Sequence, residues 1–227
     1  MQSLLLGASS VTLNFGDTLA KPTSSILIIL GVTLLSVAPS LFILLTGFVR
    51  ISIVLGLTRQ ALGLQTTPPN QVIAGLAMFI SLFLMAPTLS QMDHVALQPY
   101  LKGELSAGVA YQRAEVPLKA WLLKQTGTEE LNMTSGFADQ HPAQPTDATM
   151  QAIIPAFLLT QLKSAFIIGF VIFIPFLIID LIVAATLMSM GVMMLPPTLV
   201  SLPFKILLFV LVDGWALVIQ SLVTSFK

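Results

Sequence analysis

Lys163, Asp180, Lys205 and Asp213 lie inside the almost uniformly apolar sequence between Ile153 and Phe226. Their chemistry is electrostatic. A charge set in lipid costs about 2.5 to 3.5 kcal/mol on insertion scales, so these side chains are expected to face partner helices, a wet cavity or one another. They mark the chain as one piece of a larger helical assembly, with these charges at subunit contacts. Asp180 is the sharpest case, because Phe176 to Ala184 offers it no polar neighbour and a short acid cannot snorkel far. Lys205 can snorkel, and Asp213 is flanked by Gly214 and an interface-seeking Trp215. Arg50, after Thr46-Gly47-Phe48-Val49, has two readings: a snorkelling interfacial arginine, or an intersubunit ion pair or polar lining.

Methionine supplies a softer chemistry. Met188, Met190, Met193 and Met194 run into Pro196-Pro197. An unbranched, polarizable side chain fills irregular core gaps. The same residues at a proline-pinned turn, repeated around a ring of subunits, would instead make a deformable seal. Catalytic chemistry is not indicated. His94 and His141 are the only histidines, there is no Glu-x-x-His spacing, and neither a nucleophile elbow nor a phosphate loop is present. The absence of cysteine removes disulfides, thiolate metal sites and a thiol nucleophile. No metal or cofactor is expected.

The elements that position these residues are membrane-type helices. Of 227 residues, 56% are hydrophobic and 9% charged, with zero formal net charge; soluble domains run near 25% charged. No basic patch points to nucleic acid. Four apolar segments, about Ile26 to Val49, Val72 to Met92, Ala165 to Met190 and Leu199 to Val223, each reach the roughly 20 residues of a span. They predict a tail over 1–25, a first helical hairpin over 26–92, a polar insert over 93–150 and a second hairpin with the methionine loop over 151–227. The hairpins turn at Pro68-Pro69-Asn70 and Pro196-Pro197-Thr198, similar enough to suggest a duplication. Pro175, in mid-segment, is expected to kink or break its helix. No two glycines stand four apart, so the small-residue dimer motif is missing.

Within the insert, Pro117 suits a first helical position, with Leu118, Trp121 and Leu122 as an apolar stripe ended by Gly127. Thr128 with Glu129 and Glu130 suits a cap and acidic first turn. His141 to Asp147 reads as a loop, with Asp147 capping the following helix. Arg59, with Arg50 nearby, marks the first turn as cytoplasmic and puts the insert outside. Met1 to Leu19 has no basic n-region, so a signal has been removed or a short tail crosses unaided.

Several runs carry a family resemblance: Gln161-Leu162-Lys163-Ser164-Ala165-Phe166, Ile168-Gly169-Phe170, Ile174 through Asp180, Met188 through Pro197, and Leu202-Pro203-Phe204-Lys205 through Trp215. In the first hairpin, Arg50 through Gly56, Ala61-Leu62-Gly63 and Pro68 through Val72 agree as well. From about Ser40 to Lys227, the variable insert excepted, the chain closely resembles the FliP family, the flagellar branch of a type III secretion family shared with the injectisome SctR proteins.

The resemblance implies an export-gate subunit. Such subunits form a homo-pentamer with FliQ and FliR in a helical cone, completed by FlhA and FlhB, through which unfolded flagellar proteins pass. The implied site is the inner membrane at the flagellar basal body, with the insert periplasmic. The core assembly would stand largely above the bilayer, on hairpins that do not span as simple helices. The expected fold is therefore all-α: membrane-associated kinked helical hairpins flanking a small helical insert, joined into an oligomeric cone. The family's gasket maps onto Val192, Met193 and Met194, with a stiffer valine where methionine is usual. Gln161 stands where the family usually has a glutamate able to pair with the lysine matching Lys205, and here can only hydrogen-bond. The alternative reading is a small-solute secondary transporter subunit, which also uses broken helices and buried charges; four segments are few for alternating access.

Overall fold

The structure, a computed structural model, describes residues 22–139, 142–192 and 194–226. The tail up to Lys21, His141 and Met193 lie outside the described residues. The chain divides into two compact units, Met1–Leu41 and Phe42–Lys227; the packing below is that of the second.

The described residues are helical and contain no strand. In chain order the helices are α1 (Pro22–Leu45), α2 (Phe48–Ala61), α3 (Asn70–Met92), α4 (Gln98–Leu101), α5 (Ala107–Lys124), α6 (Thr128–Phe137), α7 (Met150–Ser189), α8 (Pro197–Leu211) and α9 (Gly214–Thr224). A π-helical turn, Asp93–Leu97, joins α3 to α4 in one helical path. Two helices, Asn70–Leu101 and Met150–Ser189, are long and apolar enough to cross a membrane, or up to four if the interrupted pairs α1–α2 and α8–α9 each count as one span.

Both hairpin turns are built alike. α2 ends with Gly63 at φ 79° and α7 with Gly191 at φ 76°. Each glycine N–H donates to the carbonyl three residues back (Gln60, Met188), and the next N–H donates to the carbonyl five back (Arg59, Leu187). This is the Schellman arrangement, which needs a left-handed residue just past the helix. The double proline follows at the same spacing, and Pro69 and Pro196 occupy the N-caps of α3 and α8. Arg59 pins the first turn by donating to the Pro68 carbonyl at 3.0 Å and to Asn70 Oδ1 at 2.7 Å.

Three sequence expectations are corrected here. α7 runs unbroken for 40 residues through Pro155 and Pro175, so Pro175 does not break it. Proline removes one backbone donor and crowds the preceding turn, but the long apolar stretches on either side continue the helix. Pro117 lies inside α5 and does not start it. The fourth apolar segment is two helices bent by 64° at Val212–Asp213. Asp213 there adopts φ 50°, ψ 54°, a left-handed conformation that Asp tolerates better than most residues.

Two apolar cores result. Ile51, Val54 and Leu55 of α2 meet Ile73, Ala77 and Ile80 of α3, Ala165 and Phe176 of α7, Phe209 of α8, and Val218 and Leu222 of α9. Leu122 of α5 and Leu131 of α6 pack with Ile153, Ala156 and Phe157 at the start of α7. The predicted stripe is confirmed: Leu118 and Trp121 pack against this second core beside Leu122. The N-cap of α6 is Gly127 and not Thr128, which is its first helical residue; Glu129 and Glu130 follow in the first turn as expected. Asp147 accepts from the Gln144 N–H and so closes a short 3₁₀ turn; the N-cap of α7 is Thr149.

Candidate functional site

Asp180 and Lys205 find each other within the chain. Asp180 extends from α7 and Lys205 from α8, with Nζ 2.6 Å from Oδ2. Ser201, one turn earlier on α8, donates to Oδ1 at 2.5 Å. Lys205 also donates to the Ala61 carbonyl at the C-terminus of α2, at 3.2 Å, where the helix dipole favours a cation. One lysine thus joins three helices. Lys205 is buried, and about a quarter of the Asp180 side chain is exposed, 26%. Ser201 was not foreseen; its serial spacing to Lys205 on one helix face was the available signal.

Arg50 does not snorkel. It is 4% exposed, with Nη1 donating to the Ser225 carbonyl at 3.0 Å and the Ser225 hydroxyl at 3.1 Å. Its guanidinium lies 4.1 Å from the centroid of the Phe226 ring. Gln125, at the end of α5, donates to the Phe226 carbonyl at 2.7 Å. Gln161 on α7 then donates to the Gln125 carbonyl at 3.2 Å. Gln161 and Lys205 therefore belong to different networks in this chain. Nothing in the sequence picks out Gln125, Ser225 or Phe226, whose partners lie 36 to 175 residues away.

Lys163 stands outside the cores, on α7, with its ammonium 2.9 Å from Glu130 and 3.3 Å from Glu129 of α6. The hydrogen bond from Lys163 holds the Glu130 carboxyl below the usual carboxylate range. Beside it, the Gly127 N–H donates to Thr160 Oγ1 at 2.9 Å, and a side chain at Gly127 would collide with Glu130. Asp213 is exposed at the α8–α9 bend. Neighbouring subunits are thus not needed to answer Arg50, Lys163, Asp180 or Lys205, whose partners lie in their own chain.

The methionine turn presents the opposite chemistry. Met188 and Met190 are exposed and Met194 is 97% exposed. They fill no core in this chain, which removes the gap-filling reading for these three. Gly191 sets the exit from α7 and Pro196 and Pro197 set the entry to α8; Met188 and Met190 stand just before this turn and Met194 within it. Among the described residues no group of three or more His, Asp or Glu side chains is placed to hold a metal ion.

The sequence matches the FliP family over residues 31–222. It is 49% identical to the flagellar biosynthetic protein FliP of Bacillus subtilis (strain 168) over 205 residues, 90% of this chain and 93% of that protein. Against FliP of Cereibacter sphaeroides the identity is 47%, covering 96% of this chain and 72% of that protein. Against FliP of Aquifex aeolicus (strain VF5) it is 45%, covering 89% and 86%. With the family match covering residues 31–222 and these relatives aligned over about nine-tenths or more of the sequence, the chain belongs to the FliP family.

Proposed function

We propose that this chain is a core subunit of the flagellar type III export gate and lines a protein-conducting channel for unfolded flagellar proteins. It assembles as a homo-pentamer with FliQ and FliR, works with FlhA and FlhB, and has no catalytic role. Its place is the inner membrane at the flagellar basal body, with the inserted helices on the periplasmic side. The turn Val192, Met193 and Met194 closes the pore at rest.

The observation that carries this reading is the exposure of apolar surface on a helix far longer than a membrane needs. At 1.5 Å per residue, α7 is about 60 Å long, while the hydrocarbon core is about 30 Å thick. Only 11% of its most apolar window is buried within the chain. Lipid can cover about half of such a helix; α2, α5 and α6 of the same chain cover part of the remainder, and neighbouring subunits cover what is left. Native mass measurement of the complex, co-expressed with FliQ and FliR in mild detergent, tests the proposal. A mixed multi-subunit particle is expected. A lone monomer or dimer would overturn it and favour the small-solute transporter.

A further inference from the structure

The segment Ser225–Phe226 is held from both sides. Arg50, from the first turn of α2, grips the Ser225 carbonyl and hydroxyl and stacks on the Phe226 ring. Gln125, from the end of α5, grips the Phe226 carbonyl. The ring fills the notch left at Gly47, where any side chain would collide with it. At the other end of α9, Asp213 carries the left-handed backbone, and the Phe209 ring covers Gly214 so closely that a side chain would not fit. α9 is a short helix with a bend at its start and a grip at its end. Along its length it buries Gly214, Val218 and Leu222.

Among the described residues the partners of Arg50 are neutral and no carboxylate pairs with it. The grip can therefore be released without stranding an opposite charge, unlike the Asp180–Lys205 pair. Trp215 of α9 also forms one wall of an apolar cavity of about 510 Å³, whose other walls include Leu62, Pro68, Val72, Phe209 and Val210. The cavity is already open on the side of Val72 and Val210, which are more than half exposed, and movement of α9 about Asp213 would reshape it.

We propose that α9 is a hinged arm, pivoting at Asp213–Gly214 and fastened by the Arg50–Phe226 clasp, and that its position shapes the apolar groove beside the first hairpin turn. The sequence has no cysteine, so spin labels at Gln60→Cys on α2 and Gln220→Cys on α9, both exposed, report the arm directly. In the full chain in mild detergent the labels should give one narrow distance. Phe226→Ala and Arg50→Lys should each raise the population at longer, broader distances about tenfold, because the first removes the stacked ring and the second its planar fork. Phe226→Leu, which keeps bulk and loses the ring face, should fall between. Retained helix content with a released population supports the arm; unchanged narrow distances in both main variants overturn it. Should Phe226→Ala fail to fold, hydrogen exchange of the unmodified chain decides. α9 amides exchanging ahead of α8 support a separate arm, and exchange in step with α8 refutes it.

Discussion

Asp180 and Asp213 are both acids in apolar sequence, and their neighbours make them energetically unlike. Replacing Asp180 with Asn leaves the buried Lys205 ammonium with only neutral acceptors, including the Ala61 carbonyl. Breaking a buried pair costs about 3 to 5 kcal/mol, and the partial exposure of Asp180 places this case at about 3. The expected result is a clear fall in thermal midpoint in mild detergent, whereas Asp213→Asn should change stability by less than about 0.5 kcal/mol. Equal responses from the two variants would mean that Asp180–Lys205 carries no special weight. Gly191 offers a test of backbone alone. A Cβ there meets nothing within 4 Å, so Gly191→Ala should cost about 1 to 2 kcal/mol through left-handed strain, and Gly191→Asn clearly less. An alanine variant as stable as the parent would contradict the turn geometry. That a charge at 180 must be answered was legible from its surroundings. The identity of its partner was not, because Lys205 lies 25 residues away on another helix. Arg50 was less legible still, with its partner 175 residues distant.

At the scale of elements, the inserted α6 is fastened to α7 by Glu130, Glu129 and Lys163. Lys163 and Glu129 are solvated while Glu130 is largely covered, so the contribution is modest and sensitive to salt. Because the folded Glu130 carboxyl titrates below its ordinary value, the unfolded chain binds the proton more readily. The contribution is complete above the ordinary carboxylate value of about 4.3 and fades as pH falls through the lower folded value. Hydrogen exchange in α6 should therefore become faster relative to α5 on acidification below about pH 4, and Glu130→Gln should flatten that change. A parent and variant with the same pH response would remove Lys163 as the fastener. Element boundaries were legible where chemistry is local: the double prolines and the acidic start of α6. They were obscured where packing overrides it. Pro117 looks like a helix start, yet α5 begins ten residues earlier and the stripe that follows the proline packs onto Phe157, with Trp121 5.4 Å from that ring. The bend at Asp213 was hidden because apolar residues continue on both sides and hydropathy alone does not report a change of direction.

At the scale of the whole molecule, the chain separates what holds it together from what it displays. Arg50, Lys163, Asp180 and Lys205 are answered internally, while Met188, Met190 and Met194 stand outside both cores. If copies of the turn meet at the pore axis, the thioethers are the sealing surface, and the Schellman bonds and prolines are the mount. Truncating the seal should leave the mount intact. Met193→Ala with Met194→Ala removes flexible groups from each subunit without opening a cavity at Met194, since that side chain packs into neither core. Assembly with FliQ and FliR should be normal. Small ions should leak through membranes carrying the double variant, because alanine cannot bridge the gap that methionine fills. Export should persist or fall only partly, since a passing chain displaces soft side chains without breaking hydrogen bonds. Conductance across membranes holding the complete gate is the measurement. A normally assembled gate that stays tight to ions would show that the seal lies elsewhere, and the exposed methionines would then be contact surface for neighbouring subunits.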